Sequence, residues 1–401
     1  MDNKSITVKK KNPKKIIFIF IYFIFLFILQ EILFRTFFPL PQVSSFNRAN
    51  YMATNEIGGH SRENYIRNIK VGVISSLDSP ETFFHSLNSY GFRGKDWKIE
   101  KKKGVKRIFF IGDSITEGNM SSDDQTIVKG FENGANEHGM EIEAINLGVS
   151  GGNWKSYIQL IVDSVPIFKP DALFLNIFAN DSPQSQKVQF TDPGYYDTIS
   201  PRLFSLVQMI GSGEPLPYRW SHRKTYFAWN DKVNKRKLPN DSFLTDNVDE
   251  VVAQAIKERL FNPGLINWPL RAKYFLKYPY ECNDQLIFLK NFLHKHNVKF
   301  HLIYIPLKSQ VTNYYYQFEK KMCKKCPNNL DLTRDEYQIQ RYYLKKIAAK
   351  LNIPFYDTTN FLKKEEEREN HLYWNYDIHM NGEGYFLTGK QLFNWFVNYD
   401  N

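Results

Sequence analysis

The apolar positions of this chain fall into three regimes. Residues Ile16 to Leu29 are fourteen apolar residues in succession. After Gln30 and Glu31 the run resumes with Ile32, Leu33 and Phe34. Apolar on every face, it does not suit the one-sided burial of a soluble helix. From about residue 105, short β-branched and aromatic runs alternate with helical spacing. Strands are expected at Arg107–Gly112, Glu141–Leu147, Ala172–Phe178, Val298–Ile305 and Ile353–Tyr356. Helices are expected at Asp124–Ala135, Trp154–Phe168, Asp284–His296, Leu332–Leu351 and Glu383–Val397. Continuous apolar strands separated by helices predict a mostly parallel sheet with helices on both faces. Between them, from about Val188 to Pro279, the rhythm is lost in a segment rich in Tyr, Trp, Lys and Arg. Tyr218-Arg219-Trp220 and Tyr226-Phe227-Ala228-Trp229 are examples, and Asn247–Phe261 is its clearest helix. An insertion of that length can cap a site or form a small core of its own.

Three segments follow from this pattern: a basic tail and apolar helix over residues 1–38, a connector and accessory segment over 39–104, and an α/β domain over 105–401. The connector holds a short strand at Val71–Ile74 and a glycine-containing turn at Asn88–Gly94.

Charge sharpens the reading of the amino terminus. The net charge is +11, and the first fifteen residues hold six lysines against Asp2. The basic excess elsewhere is mild, and no nucleic-acid-binding pattern accompanies it. A signal peptide and a spanning helix both fit a basic flank before an apolar run. The continuation Arg35-Thr36-Phe37-Phe38-Pro39 lacks a small-residue cleavage site, which favours an uncleaved anchor. The basic flank puts the tail in the cytoplasm and the rest of the chain across the membrane. Of three cysteines, Cys323 and Cys326 form a lone Cys-x-x-Cys, open to a local disulfide or two thiols. Without a second pair no structural zinc site is expected. No metal or other cofactor is called for.

Candidate chemistry sits at strand ends. Gly112-Asp113-Ser114 closes the first strand of the domain, Ser150-Gly151-Gly152 follows the second, and Asn180-Asp181 follows the third. Asp377-Ile378-His379 precedes the last helix. In a parallel α/β sheet these loops can open on one edge. Ser114 would be the nucleophile, His379 its base, and Asp377 the group that sets the imidazole tautomer. The Ser114 and Gly151 amides and the Asn180 carboxamide would form an oxyanion hole, with Asp113 and Asp181 in support. His371 is the only other base worth weighing; His294, His296 and His301 read as surface or packing residues. Ser114 does not stand in a G-x-S-x-G elbow, its surroundings reading Gly112-Asp113-Ser114-Ile115-Thr116, and the chain has no Walker pattern.

These blocks resemble those of the SGNH, or GDSL-type, hydrolase superfamily. Gly112-Asp113-Ser114 matches its first block, Asn146–Gly151 its glycine block, and Asn180-Asp181 its asparagine block, with Phe178 where a glycine is usual. The last block is D-x-H where D-x-x-H is common. Asn88–Gly94 resembles a segment of anchored bacterial members. The resemblance implies a flavodoxin-like three-layer sandwich and a serine esterase acting through an acyl-enzyme on acyl esters, of carbohydrate or lipid. An O-acyltransferase acting on surface polysaccharide and a non-catalytic carbohydrate-binding or assembly protein are the alternatives.

Overall fold

The computed structural model describes residues 13–37, 46, 69–74, 77–78, 82–181, 203, 225–227, 238–258, 260–278 and 280–400. The strands, in chain order, are β1 (Ile69–Ile74), β2 (Thr82–Leu87), β3 (Lys106–Gly112), β4 (Ile142–Gly148), β5 (Ala172–Phe178), β6 (Thr225–Phe227), β7 (Lys299–Ile305) and β8 (Phe355–Asp357).

Five of them form the central sheet in the order β4-β3-β5-β7-β8, and every neighbouring pair is parallel. Its apolar strands are buried because both faces are covered: Ile108, Phe109, Phe110 and Ile111 are solvent-free, and all of β5 is buried. Side chains of a strand alternate between faces. Phe110 joins Phe131, Phe174, Phe393 and Phe396 beneath the helices Ile127–Glu137 and Gly382–Asp400. Phe109 meets Phe168 of the helix Trp154–Phe168, beside which the helix Asn283–Lys295 packs. The result is a three-layer α/β sandwich of flavodoxin-like strand order. Helices Ile127–Glu137 and Gly382–Asp400 cross closely: a Cβ on Gly130 would strike the Phe386 carbonyl, and one on Gly389 that of Ile127.

The winding reverses at β3, which has β4 on one side and β5 on the other. In open α/β sheets the crevice lies outside the carboxyl ends of strands at such a reversal. A second sheet, β2-β1-β6, pairs β1 antiparallel with β2 and parallel with β6. The expected strand at Val71–Ile74 is therefore present, and it recruits a strand from the insertion. Tyr218-Arg219-Trp220 and the side chains of Tyr226-Phe227-Ala228-Trp229 lie outside the described residues.

Two helix expectations change. The helix expected over Leu332–Leu351 begins only at Ile339. Asp331 Oδ1 accepts both the N–H and the hydroxyl of Thr333, holding the start as a turn. The helix expected over Asn247–Phe261 is instead Asp241–Asn247 and Glu250–Lys257, broken at the extended Val248. Asn240 caps the first through the Phe243 N–H, and the Asp249 N–H leaves to the Lys321 carbonyl. Cys323 and Cys326 are joined by a disulfide. Cys282 is a buried free thiol that burial pushes up to about 12.

At the amino end Pro13–Phe37 is one helix, and Lys14–Phe34 is long and apolar enough to cross a membrane, with a mean hydropathy of 2.7.

Candidate active site

Ser114 is the first residue of a single helical turn, Ser114–Glu117, leaving the end of β3. Asp113 caps that turn: its Oδ1 accepts the Ile115 N–H at 2.9 Å. Gly118 ends it in the left-handed conformation, its N–H returning to the Ser114 carbonyl. The strand-to-turn corner requires Gly112, because a Cβ there would collide with the Thr116 hydroxyl and the Asn176 carbonyl. Gly148, at the end of β4, lies against the Glu117 backbone, and a Cβ would run into the Glu117 amide nitrogen.

His379 and Asp377 come from the loop before the last helix. His379 Nε2 lies 2.8 Å from Ser114 Oγ, a reach of 265 residues along the chain. Its Nδ1 is hydrogen-bonded to Asp377 Oδ1, and the same oxygen accepts the His379 N–H at 3.0 Å. The D-x-H spacing therefore closes a tight turn in which one carboxylate oxygen meets both backbone and ring. Burial disfavours the imidazolium, but Asp377 outweighs it, and His379 is held above the ordinary histidine value. Asp377 is half-buried, and although desolvation works against its charge, His379 and Lys308 hold it below the usual carboxylate range.

Two supports fix this loop from opposite sides. Lys308, buried just beyond β7, donates to the carbonyls of Trp374 (3.0 Å), Asn375 (2.7 Å) and Asp377 (2.8 Å). Glu319 lies 3.7 Å from its ammonium. Asp78, upstream of β2, accepts the N–H groups of Asn375 and Tyr376. The Trp374 indole N–H reaches the Met120 carbonyl at 3.2 Å.

The remaining expected site residues lie on the loops after β4 and β5, the strands flanking β3. Gly151 has φ +72° with open space about its Cα, a conformation that favours glycine. Asn180 is half-buried in the turn after β5. Neither the Gly151 N–H nor the Asn180 carboxamide has an intramolecular hydrogen bond among the described residues. Asp181 shapes the Asn180 turn: Oδ2 accepts the Phe178 N–H at 2.9 Å and Oδ1 the Tyr157 hydroxyl at 2.8 Å. Phe178 is buried at the end of β5, and this side-chain clasp forms the turn without a glycine there. Asp113 is pushed up to about 6, chiefly by burial, and Asp181 well above the usual range by burial and the nearby Asp113.

His371 and His301 make other contacts. His371 stacks on Tyr314 with ring centroids 4.0 Å apart. His301 is buried against Phe174, Trp395 and Phe396 as a packing residue. Sequence reasoning missed Lys308, Asp78 and Glu117. Lys308 could have been sought because it follows a strand end; Asp78 carries no local signal. Among the described residues no group of three or more His, Cys, Asp or Glu could hold a metal ion.

No family model matches the sequence, and no curated protein matches it. Several solved structures do. An esterase from Pseudoalteromonas sp. is 10% identical, with 74% of this chain and 100% of that one covered at a TM-score of 0.36. A catalytic mutant of an acetylxylan esterase from Geobacillus stearothermophilus is 14% identical, covering 72% and 92% at 0.35. A GDSL-like lipase from Bacteroides thetaiotaomicron is 11% identical, covering 74% and 89% at 0.30. The chain is similar to GDSL-type esterases and lipases.

Proposed function

We propose that this chain is a serine ester hydrolase of the SGNH type, held at a membrane by its amino-terminal helix. The observation that carries the reading is the 2.8 Å approach of His379 Nε2 to Ser114 Oγ, with Asp377 on the other ring nitrogen. A serine hydroxyl is a weak nucleophile until a base takes its proton. His379 Nε2 accepts that proton as Oγ bonds to the acyl carbon, and Asp377 stabilises the imidazolium so formed. The resulting oxyanion is held by the Ser114 and Gly151 N–H groups and the Asn180 carboxamide. Collapse breaks the ester C–O bond, and His379 returns its proton to the departing alkoxide. An incoming hydroxyl then gives its proton to His379 as it attacks the acyl-enzyme; the acyl C–Oγ bond breaks and His379 returns that proton to Ser114 Oγ, which restores both groups.

Water as that nucleophile gives hydrolysis; a sugar hydroxyl gives acyl transfer by the same steps. The substrates that fit are acyl esters of carbohydrate or lipid at the outer membrane face. The Cys323–Cys326 disulfide supports an oxidising compartment, and the lysines before the apolar helix support a cytoplasmic tail. A purely binding role would not need a buried imidazole bonded to both serine and carboxylate.

The test is hydrolysis of p-nitrophenyl acetate by the full chain in detergent. Wild type turns over and Ser114→Ala falls to background; equal rates for the two would refute the reading. Product analysis with an added sugar acceptor separates hydrolysis from transfer.

A further inference from the structure

Glu117 shares the helical turn of Ser114, three residues on, and is buried at 3% exposure. Its carboxylate does not cap that turn. Oε2 reaches across to the loop after β4, where it accepts the Ser150 N–H at 2.9 Å and the Ser150 hydroxyl at 2.6 Å. Ser150 is the residue before Gly151. Around the carboxylate, His85 on β2 brings Nδ1 to 3.8 Å from Oε1. The buried Arg93 donates to the Glu117 and Gly118 carbonyls, and is itself paired with Asp123 at 3.0 Å. A buried carboxylate is costly unless hydrogen-bonded and compensated, and an apolar side chain could fill the same space. This one spends two of its acceptor positions on one residue of the neighbouring loop.

That loop needs a tether. It is a turn closed by the Gly152 N–H on the Val149 carbonyl at 2.8 Å, with Gly151 at φ +72° inside it, so the direction of the Gly151 N–H follows the orientation of the whole turn, which Ser150 ties to Glu117. An oxyanion donor contributes only when it is already aimed at the position where charge develops.

We propose that Glu117 is a positioning residue which, through Ser150, aims the Gly151 N–H at the acyl oxygen on Ser114. This rests on the esterase reading above. Serine turn and glycine loop then move as one body, joined by the Glu117 carboxylate on one side and by the Gly148 backbone contact on the other.

A purely structural role and this one differ in what they move. Glu117 lies in the field of His379, where with Asp377 and Asp113 it favours the imidazolium against burial. Facing these groups are His85 and Arg93 beside Glu117, Asp123 on Arg93, and Tyr385 in the field of Asp113 and Asp377. Glu117→Gln keeps an acceptor oxygen for Ser150 but removes the charge; Glu117→Ala removes both.

Steady-state hydrolysis of p-nitrophenyl acetate across pH 5 to 9 by the full chain tests the proposal. Glu117→Ala should lower kcat about tenfold to a hundredfold with KM changed less than about twofold. Glu117→Gln should restore most of kcat and move the acid limb to lower pH. Ser150→Ala, which leaves the Glu117 charge and backbone bond in place, should lower kcat about threefold to tenfold with the limb unmoved. It decides the matter if Glu117→Ala does not fold. Wild-type kcat in both Glu117→Ala and Ser150→Ala overturns the inference and leaves the esterase reading intact. An inert wild type overturns both.

Discussion

At the scale of the residue, the site is set by the environment of one imidazole. His379 must be neutral at Nε2 to take the serine proton, and its folded value is raised above the ordinary 6.5. Below that raised value the ring is charged and cannot accept. Activity should therefore fall as pH drops, with a midpoint above 6.5, and pH–rate profiles of kcat/KM would show it. Asp377→Asn removes the carboxylate that raises the ring and fixes its tautomer. The limb should move down and kcat fall on the order of 10⁴-fold; a small loss with an unmoved limb would remove Asp377 from its role. A different residue-scale prediction concerns Gly148, whose missing Cβ admits the Glu117 amide. Gly148→Ala forces backbone apart and should cost about 1–3 kcal/mol in thermal or denaturant unfolding. The meeting of Ser114, His379 and Asp377 was legible in the sequence because each stands in a short block at a strand or helix boundary. Glu117 stood in the same block and was not singled out, since a glutamate in the first turn after a cap also reads as ordinary helix chemistry. Its target, Ser150, is near only once β3 and β4 pair in parallel.

Elements explain how a loop without regular structure holds two reacting groups in place. The segment from Tyr373 to Met380 is closed by a single bridge between those residues and by the Trp374 N–H to the His379 carbonyl. Its carbonyls are gathered by Lys308 from the end of β7, and its N–H groups by Asp78 from the segment between β1 and β2. Burial pulls the Lys308 ammonium down, against the opposing pull of Glu319, Asp78 and Asp377. Lys308→Met keeps most of the volume but leaves three carbonyls without a donor and Glu319 without its cation. The expected cost is about 3–5 kcal/mol of stability. Adding Glu319→Gln should recover part of it, a coupling that a double-mutant cycle in denaturant measures. Asp78→Ala should cost about 1–3 kcal/mol and lower kcat more than it raises KM. The core strands were readable to within a residue or two at their ends, because burial on both faces makes them mostly apolar, with Asn176 of β5 and His301 of β7 among the buried polar exceptions. The helix starts at 241 and 339 were not, because Asn240 and Asp331 use side chains to compete for backbone groups, and periodicity is blind to that. Lys308 and Asp78 were hidden for another reason: their partners lie 66 to 69 and 297 to 298 residues away.

For the whole molecule the open matter is how much of the chain the site needs. The described side chains of the apolar helix include Phe18, Phe20 and Phe23 at 71%, 65% and 63% exposure, and no part of the candidate span is buried. Such a surface is stable in hydrocarbon and not in water, so the full chain should resist carbonate extraction from membranes. The same exposure means that removing residues 1–38 takes no buried side chain from the α/β body among the described residues. Phe46 sets the other limit. It is 1% exposed and packs on Tyr90, Phe92 and Phe168, beneath the face of the sheet that carries Phe109. A chain beginning at residue 39 should therefore be soluble, with kcat on p-nitrophenyl acetate within about twofold of the detergent-solubilised full chain. One beginning at residue 48 should lose about 3–5 kcal/mol in unfolding, the usual cost of an emptied phenylalanine site, and Phe46→Ala in the longer form should reproduce that loss. If both shortened chains unfold alike, the connector contributes nothing through Phe46. If the chain from residue 39 is soluble but inactive, the proposed site needs the apolar helix for more than attachment to a membrane.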